Sequence, residues 1–331
     1  MEKRERELRE KRKKLREAAL LALIAIVLAF SATPNGRELW TWLFAISEFS
    51  GPSQQSPLRV HVIDVGKADA ILLECQGEAV LLDAGTYPRG DTVVDYLLRV
   101  GVTELKYVIP SHPDSDHIGG MAQVLQEIPT QEVLTYPWPA SLCQSTEYQN
   151  LLQATREESL SCRQVLPGDV FSVGEARLQI LGPLKAYEDS NNSSLVIRLD
   201  FQGFSALFCG DIAYEAEKDL VKSGVDLDVD LLKVPHHGSA SSCSSRFLEA
   251  VSPAYAAVSA GPDNSHLPRE ETLRRLEETG AQVCRTDVEG DLVFSWDGET
   301  LSLWTERQYN RALEYAVENM LNNKGKGWNN Q

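Results

Sequence analysis

His112, Asp114, Asp116 and His117 stand within six residues of one another, in the run Ser111-His112-Pro113-Asp114-Ser115-Asp116-His117-Ile118-Gly119-Gly120. Two imidazoles and two carboxylates at such spacing are the ligand types that hold a divalent metal ion. The run follows the apolar stretch Tyr107-Val108-Ile109-Pro110 and leads into a helix. It therefore sits in a loop at a strand's carboxyl end. A solvated loop that merely capped that helix would need one Asp or Ser. It would not need two histidines and two aspartates in alternation.

The elements around this loop follow from the hydrophobic pattern. Strands are expected at 58–65, 70–75, 79–83 and 105–110, with helices at 91–100 and 119–128. The second half repeats the grammar. Strands are expected at 177–181, 194–200, 205–209, 231–234 and 254–259, and helices at 213–223, 245–250 and 269–279. A strand pair at 291–296 and 300–305 closes the domain. Hairpins first and interleaved helices afterwards imply an α/β fold with two sheets sandwiched by helices.

Charge is unevenly spread along the 331 residues. The first 17 hold nine Lys/Arg and five Glu, which leaves 23 basic and 43 acidic residues, a net of −20, for the remainder. Such a body repels a phosphate polymer at long range unless a local basic patch intervenes. The basic segment 1–17 runs into an uncharged apolar stretch, 18–32 (AALLALIAIVLAFSA). This stretch is read as a membrane anchor, with the N-terminus cytoplasmic and the main domain outside. A cleaved signal sequence, which would release a secreted protein, is the alternative. Residues 33–57 form a juxtamembrane linker, 58–306 the main domain, and 307–331 a polar tail expected to be disordered at its end. Cys75 and Cys209 fall in apolar runs and are expected buried, whereas Cys143 and Cys162 are candidates for a disulfide if the domain is exported.

The run HxDxDHxGG resembles the variant of the metallo-β-lactamase signature found in the ComEC/Rec2 family of competence proteins. Other blocks of that family occur in order across 58–306: HVIDVGKADA at 61–70, LLDAG at 81–85 and NNSSLVIRL at 191–199. They continue with LFCGDI at 207–212, KVPHHGS at 233–239 and SAGPDNSHLPREETL at 259–273. The resemblance implies a four-layer αββα sandwich and a hydrolase with two divalent ions, Zn2+ or Mn2+. It implies His112 and Asp114 as ligands of one ion, Asp116 and His117 as ligands of the other, and Asp211 as the bridge. His236 is favoured as a further ligand and His237 as the general acid, although the residues alone leave that split open. Asp116 and His266 join His237 as catalytic candidates, and Lys67, Asn192 and Ser239 are candidates for holding substrate. Asp64, Asp69 and Asp83 are expected to orient the ligands from behind. The family's Gln-Gly-Asp reads Lys67-Ala68-Asp69 here, so Lys67 is either a phosphate-facing cation or a surface lysine. Only one candidate span can be drawn, so the family's multi-helix channel is not expected.

Two ions roughly 3.5–4 Å apart would acidify a shared water and polarise a phosphoryl or carbonyl oxygen, with a histidine protonating the leaving group. The leading reading is a phosphodiesterase or nuclease on the outer side of the membrane, with a phosphodiester or nucleic acid as substrate. One alternative is a lactone, lactam or thioester hydrolase on the same scaffold. Another is a noncatalytic metal-binding partner in competence. The residues do not decide the oligomeric state, or whether one ion or two are held.

Overall fold

Alternating apolar positions build two sheets whose inner faces share one core. The computed structural model describes residues 56–262 and 266–312. The first sheet contains β1 (Leu58–Val62), β2 (Ala70–Cys75), β3 (Glu78–Ala84), β4 (Leu105–Ile109), β5 (Thr130–Thr135) and β6 (Ser161–Gln164). It is completed by β14 (Leu292–Trp296) and β15 (Leu301–Thr305), in the order β15-β14-β1-β2-β3-β4-β5-β6. The second contains β7 (Val170–Val173), β8 (Ala176–Gly182), β9 (Val196–Phe201), β10 (Phe204–Phe208), β11 (Leu231–Lys233), β12 (Tyr255–Val258) and β13 (Gln282–Arg285). Its order is β13-β12-β11-β10-β9-β8-β7.

Because side chains alternate along a strand, Ile71 and Leu73 of β2 face Leu178, Ile180, Ile197 and Leu199 across the inter-sheet core, while Leu72 points outward. That outer face is covered by α1 (Gly90–Arg99), α3 (Met121–Glu127) and α4 (Thr146–Glu157), through Val93, Leu97, Met121, Val124, Leu151 and Ala154. The outer face of the second sheet is covered by α5 (Tyr214–Ser223), α6 (Ser245–Val251) and α7 (Glu270–Glu278), through Ala216, Leu220, Phe247, Val251 and Leu276. The layers run helix, sheet, sheet, helix, as expected.

Parallel pairing joins β3 to β4 and β4 to β5 in one sheet, and β10 to β11 and β11 to β12 in the other. The loops leaving the carboxyl ends of β3, β4, β10, β11 and β12 carry the residues of interest. Open α/β sheets bind their ligands at such ends.

Several element boundaries differ from expectation. The first strand ends at Val62 rather than residue 65, because Asp64 turns back to accept a hydrogen bond from Gly66 N and Gly66 takes a φ of +82°. The metal-type loop itself holds a short helix α2 (Ser115–Ile118), and α3 starts only at Met121. The polar, helix-prone stretch between Cys143 and Cys162 is helix α4, whereas strands β5, β6, β7 and β13 go beyond the expected elements; β6 is an edge strand exposed at all four residues, so it carries no alternation to read. Cys143 and Cys162 are free thiols, with Cys162 Sγ 3.7 Å from Thr135 Oγ1, so the expected disulfide is not formed. The segments 1–17 and 18–32, most of 33–57, and the tail beyond 312 lie outside the described residues. Among the described residues no helix is long and apolar enough to cross a membrane.

Candidate metal centre

Asp83 ends β3 in the left-handed region, at φ 57°, a conformation that Asp tolerates better than most residues. From there one carboxylate oxygen accepts from Ser111 N at 2.7 Å and the other accepts from His117 Nδ1 at 2.8 Å. Ser111 Oγ lies 3.0 Å from His112 Nδ1 and 3.2 Å from His117 Nδ1. Both rings are thus held by their Nδ1 sides, with Nε2 turned the other way. The Gly-Gly that follows permits close packing: a Cβ on Gly120 would stand 2.3 Å from Ala84 O.

From the second sheet, Asp211 follows β10 in a tight turn. Its backbone N donates to Ser194 Oγ at 3.1 Å, and His236 N donates to Gly210 O at 3.2 Å. His236 and His237 both sit at φ 52°, two successive left-handed residues at the end of β11. Strain of this kind is characteristic of functional turns. It turns His237 fully inward, where Nδ1 donates to Ser259 O at 3.2 Å, and leaves the His236 side chain about a quarter exposed.

These loops bring ligand atoms together from the ends of three strands, β4, β10 and β11. His117 Nε2 is 3.2 Å from Asp211 Oδ1. His237 Nε2 is 3.8 Å from Asp211 Oδ2 and 3.7 Å from Asp116 Oδ2. Three groups have the spacing to hold an ion; two lie open to one another, His112 with His117 and Asp211, and Asp116 with His117 and His237, whereas the third, Asp69 with Asp83 and His117, has its carboxylates already taken by Lys233, Ser111 N and His117 Nδ1. The fit is supported by what lacks a partner: His112 Nε2, His117 Nε2, His237 Nε2 and Asp211 Oδ1 are all buried without a hydrogen bond. Buried polar atoms are rarely left so, and four convergent ones suit a cation that would accept their lone pairs.

The electrostatics agree. Burial alone would lower the His117 pKa, yet Asp211 and Asp83 outweigh it and hold the ring well above its ordinary value. Burial likewise opposes ionisation of Asp211, but the His117 and His237 rings keep its carboxyl well below the usual range. Asp116 is also held low against burial, by His237, His117 and Lys67. Ionised carboxylates held this close together suit a bound cation.

The family model described as "Metallo-beta-lactamase superfamily" matches residues 63–261, a stretch that contains every residue of both groups. The chain belongs to the metallo-beta-lactamase superfamily. This superfamily's fold binds divalent metals, in keeping with the two His/Asp groups. Within the superfamily, the chain is 29% identical over 268 residues to "ComE operon protein 3" of Bacillus subtilis, covering 75% of this chain and 34% of that protein. It is 30% identical over 281 residues to "Competence protein ComA" of Neisseria gonorrhoeae, covering 83% and 38%. It is 28% identical over 272 residues to "Recombination protein 2" of Haemophilus influenzae, covering 80% and 32%. The chain spans about a third of the length of these curated relatives.

The remaining candidates of this superfamily member sort by position. Asp114 lies at the edge, its carboxylate 3.6 Å from His112 Nε2 and 40% exposed, outside both ion-holding groups. Of the paired histidines it is His237, not His236, that enters a group, the opposite of the expected placement, because Ser259 O and Asp69 hold the His237 ring on the inner side. His236 Nε2 stays 3.8 Å from Asp211 Oδ2. Asp69 stands behind His237, 3.6 Å from its Nδ1, and is clamped by Lys233. Lys67 reaches the centre, with its ammonium 2.7 Å from Asp116 Oδ2.

Asp64 does not face the ligands. Its carboxylate accepts from Gly66 N, and its own N donates to Asp291 Oδ1, because the chain turns away after β1. Asn192 is buried and fully engaged. Its Oδ1 accepts from Ala213 N and Ala216 N and its Nδ2 donates to Asp189, so it caps α5 rather than facing a substrate. Ser239 is half-buried just past His237 and bonds Ser241. His266 is exposed, and among the described residues no hydrogen bond or ion pair ties it to the ligands. The sixth histidine, His61, is locked between Tyr96 OH and Glu74 at 2.8 Å each.

Three residues at the site had no role assigned from the sequence: Ser111, Ser194 and Lys233. Lys233 alone left a signal. It is a lysine inside the apolar run Leu231-Leu232-Lys233-Val234, where a charge demands a buried partner.

Proposed function

We propose that this chain is a metal-dependent phosphodiesterase of the nuclease type, acting outside the membrane to which residues 18–32 tether it. The observation that carries the proposal is the convergence of three buried imidazole Nε2 atoms and one Asp211 oxygen, none of them hydrogen-bonded, at the carboxyl ends of parallel strands. In this reading His112, His117 and Asp211 would hold one Zn2+ or Mn2+ ion, and Asp116 and His237 would hold a second. Such ions supply Lewis acidity and an activated water. Asp83 and Ser259 O fix the ring orientations of His117 and His237. His236, with one face towards solvent, is placed to hand a proton to a leaving group, and Lys67 and Ser239 stand at the rim to meet a phosphate.

A nucleic-acid substrate is favoured by relatives whose names concern competence and recombination. The net of −20 outside the first 17 residues favours a short or single-stranded segment over tight binding of a long duplex. The test is cleavage of bis-p-nitrophenyl phosphate and single-stranded DNA with added Mn2+ or Zn2+. Activity should disappear in an Asp211→Ala/His237→Ala double variant. Equal rates in the two proteins would refute the phosphodiesterase reading, and faster turnover of a lactam or lactone would replace it. A protein that takes up ions yet cleaves none of these substrates would be the noncatalytic metal-binding alternative.

A further inference from the structure

Lys67 shares a carboxylate oxygen with the centre. Its ammonium lies 2.7 Å from Asp116 Oδ2, the oxygen that is also 3.7 Å from His237 Nε2. The loop that carries Lys67 is fixed on several sides. Ala68 N donates to Gly66 O at 2.9 Å, and Asp69 N donates to Asp116 O at 3.1 Å, tying this loop to the ligand loop by its backbone. The Asp69 side chain is held by buried Lys233. Opposite, Gly261 approaches so closely that a Cβ there would stand 2.5 Å from Gly66 Cα and 2.6 Å from Lys67 N. The lysine is therefore delivered to Asp116 by the fold, not by a free surface arm.

The two halves of the centre differ in this respect. The ion pairs of Asp211 are with imidazoles, His117, His236 and His237, whose ring nitrogens can themselves ligate a metal ion. Lys67 instead brings an ammonium to Asp116, a group with donors only and no lone pair to offer a metal ion. A divalent ion ligated by Asp116 at about 2.0–2.2 Å would lie within a few ångströms of the ammonium. In a partly desolvated cleft, two positive charges so placed are screened weakly.

We propose that Lys67 limits occupancy of the Asp116/His237 half: its ammonium and a divalent cation compete for Asp116 Oδ2. The chain then holds one ion tightly on His112, His117 and Asp211, and a second one weakly. This rests on the metal-centre reading above and adds to it a difference between the two halves. It also gives Lys67 a purpose after displacement, since an ammonium pushed off Asp116 stands beside the second ion, where a substrate phosphate would arrive.

Ion content and affinity test it without any assay of activity. The full chain, loaded with Zn2+ and dialysed, should retain one equivalent by elemental analysis, and calorimetry should show a second, weaker site. Lys67→Gln should tighten that second site by about tenfold or more, while Lys67→Arg, which keeps the charge, should behave as the wild type does. A wild-type chain that retains two equivalents, or a second-site affinity unchanged in Lys67→Gln, would overturn the proposal and leave the metal-centre reading standing. Failure of every version to bind any ion would overturn both.

Discussion

Lys233 Nζ lies 2.8 Å from both carboxylate oxygens of Asp69, and both side chains are shut off from solvent. The pair joins the β1–β2 loop of one sheet to the end of β11 in the other, directly behind His237. Removing one partner leaves an uncompensated buried charge, which costs about 3–5 kcal/mol, whereas removing both is far less costly. Lys233→Met and Asp69→Asn should each lower unfolding free energy by that order in urea. The double replacement should recover much of the loss. Additive losses would show that the two residues act separately.

Asp83 positions His117 rather than binding an ion itself, because its two oxygens are taken by Ser111 N and His117 Nδ1. Asp83→Asn puts an amide donor where an acceptor is needed. If Oδ1 keeps Ser111 N, the ring must move its proton to Nε2, and the lone pair aimed at Asp211 is lost. Metal affinity should fall about 10–100-fold, read by competition with a chromogenic chelator. An unchanged affinity would place Asp83 outside the centre.

Much of this centre was legible because four candidate ligands of two types crowd into positions 112–117, a density that no solvated loop requires. The layering was legible from period-two alternation in strands such as β2. Relationships between distant positions were not. Asp69 and Lys233 are 164 residues apart, and only the parallel ends of β10 and β11 beside the β1–β2 loop bring them together. The order of His236 and His237 could not be read either, since adjacent residues face opposite ways according to backbone torsions. Asp64 carries the same residue type as Asp69 in the same block, yet the turn at Gly66 sends it towards Asp291.

Asp291 provides a pH signature away from the centre. Burial, with the nearby charges of Glu306 and Asp64, pushes its carboxyl up to about 6 from the usual 3.8, although Asp64 N and Arg99 oppose the rise. The native state therefore binds this proton more tightly than the unfolded chain does. Its stabilising contribution is full below about pH 3.8 and is lost as pH rises through about 6. Asp291→Asn keeps an acceptor for Asp64 N and forfeits only a contact with a largely exposed Arg99. It should match the wild type near pH 4 and exceed it by about 1–2 kcal/mol near pH 7.5. Urea melts across that range check this, and a pH-independent difference would contradict it.

Asn192 frames Asp211 from a distance. Helix α5 has Ala213 at its N-cap and no side-chain cap of its own; Asn192 Oδ1 supplies one, accepting from Ala213 N at 3.0 Å and Ala216 N at 3.2 Å. Two residues on, Ser194 Oγ accepts from Asp211 N. Asn192→Ala should cost about 1–2 kcal/mol, since one buried and one part-buried donor lose their acceptor. Because the helix start lies two residues past Asp211, metal affinity should fall severalfold as well. Asn192→Asp should not rescue the loss. It retains the acceptor for the helix but sets a carboxylate where Nδ2 now lies 3.0 Å from Asp189 Oδ2, so two like charges would meet. Thermal melts and zinc titration of both variants decide the matter: full stability in Asn192→Ala would deny the cap, and full affinity would sever its link to Asp211.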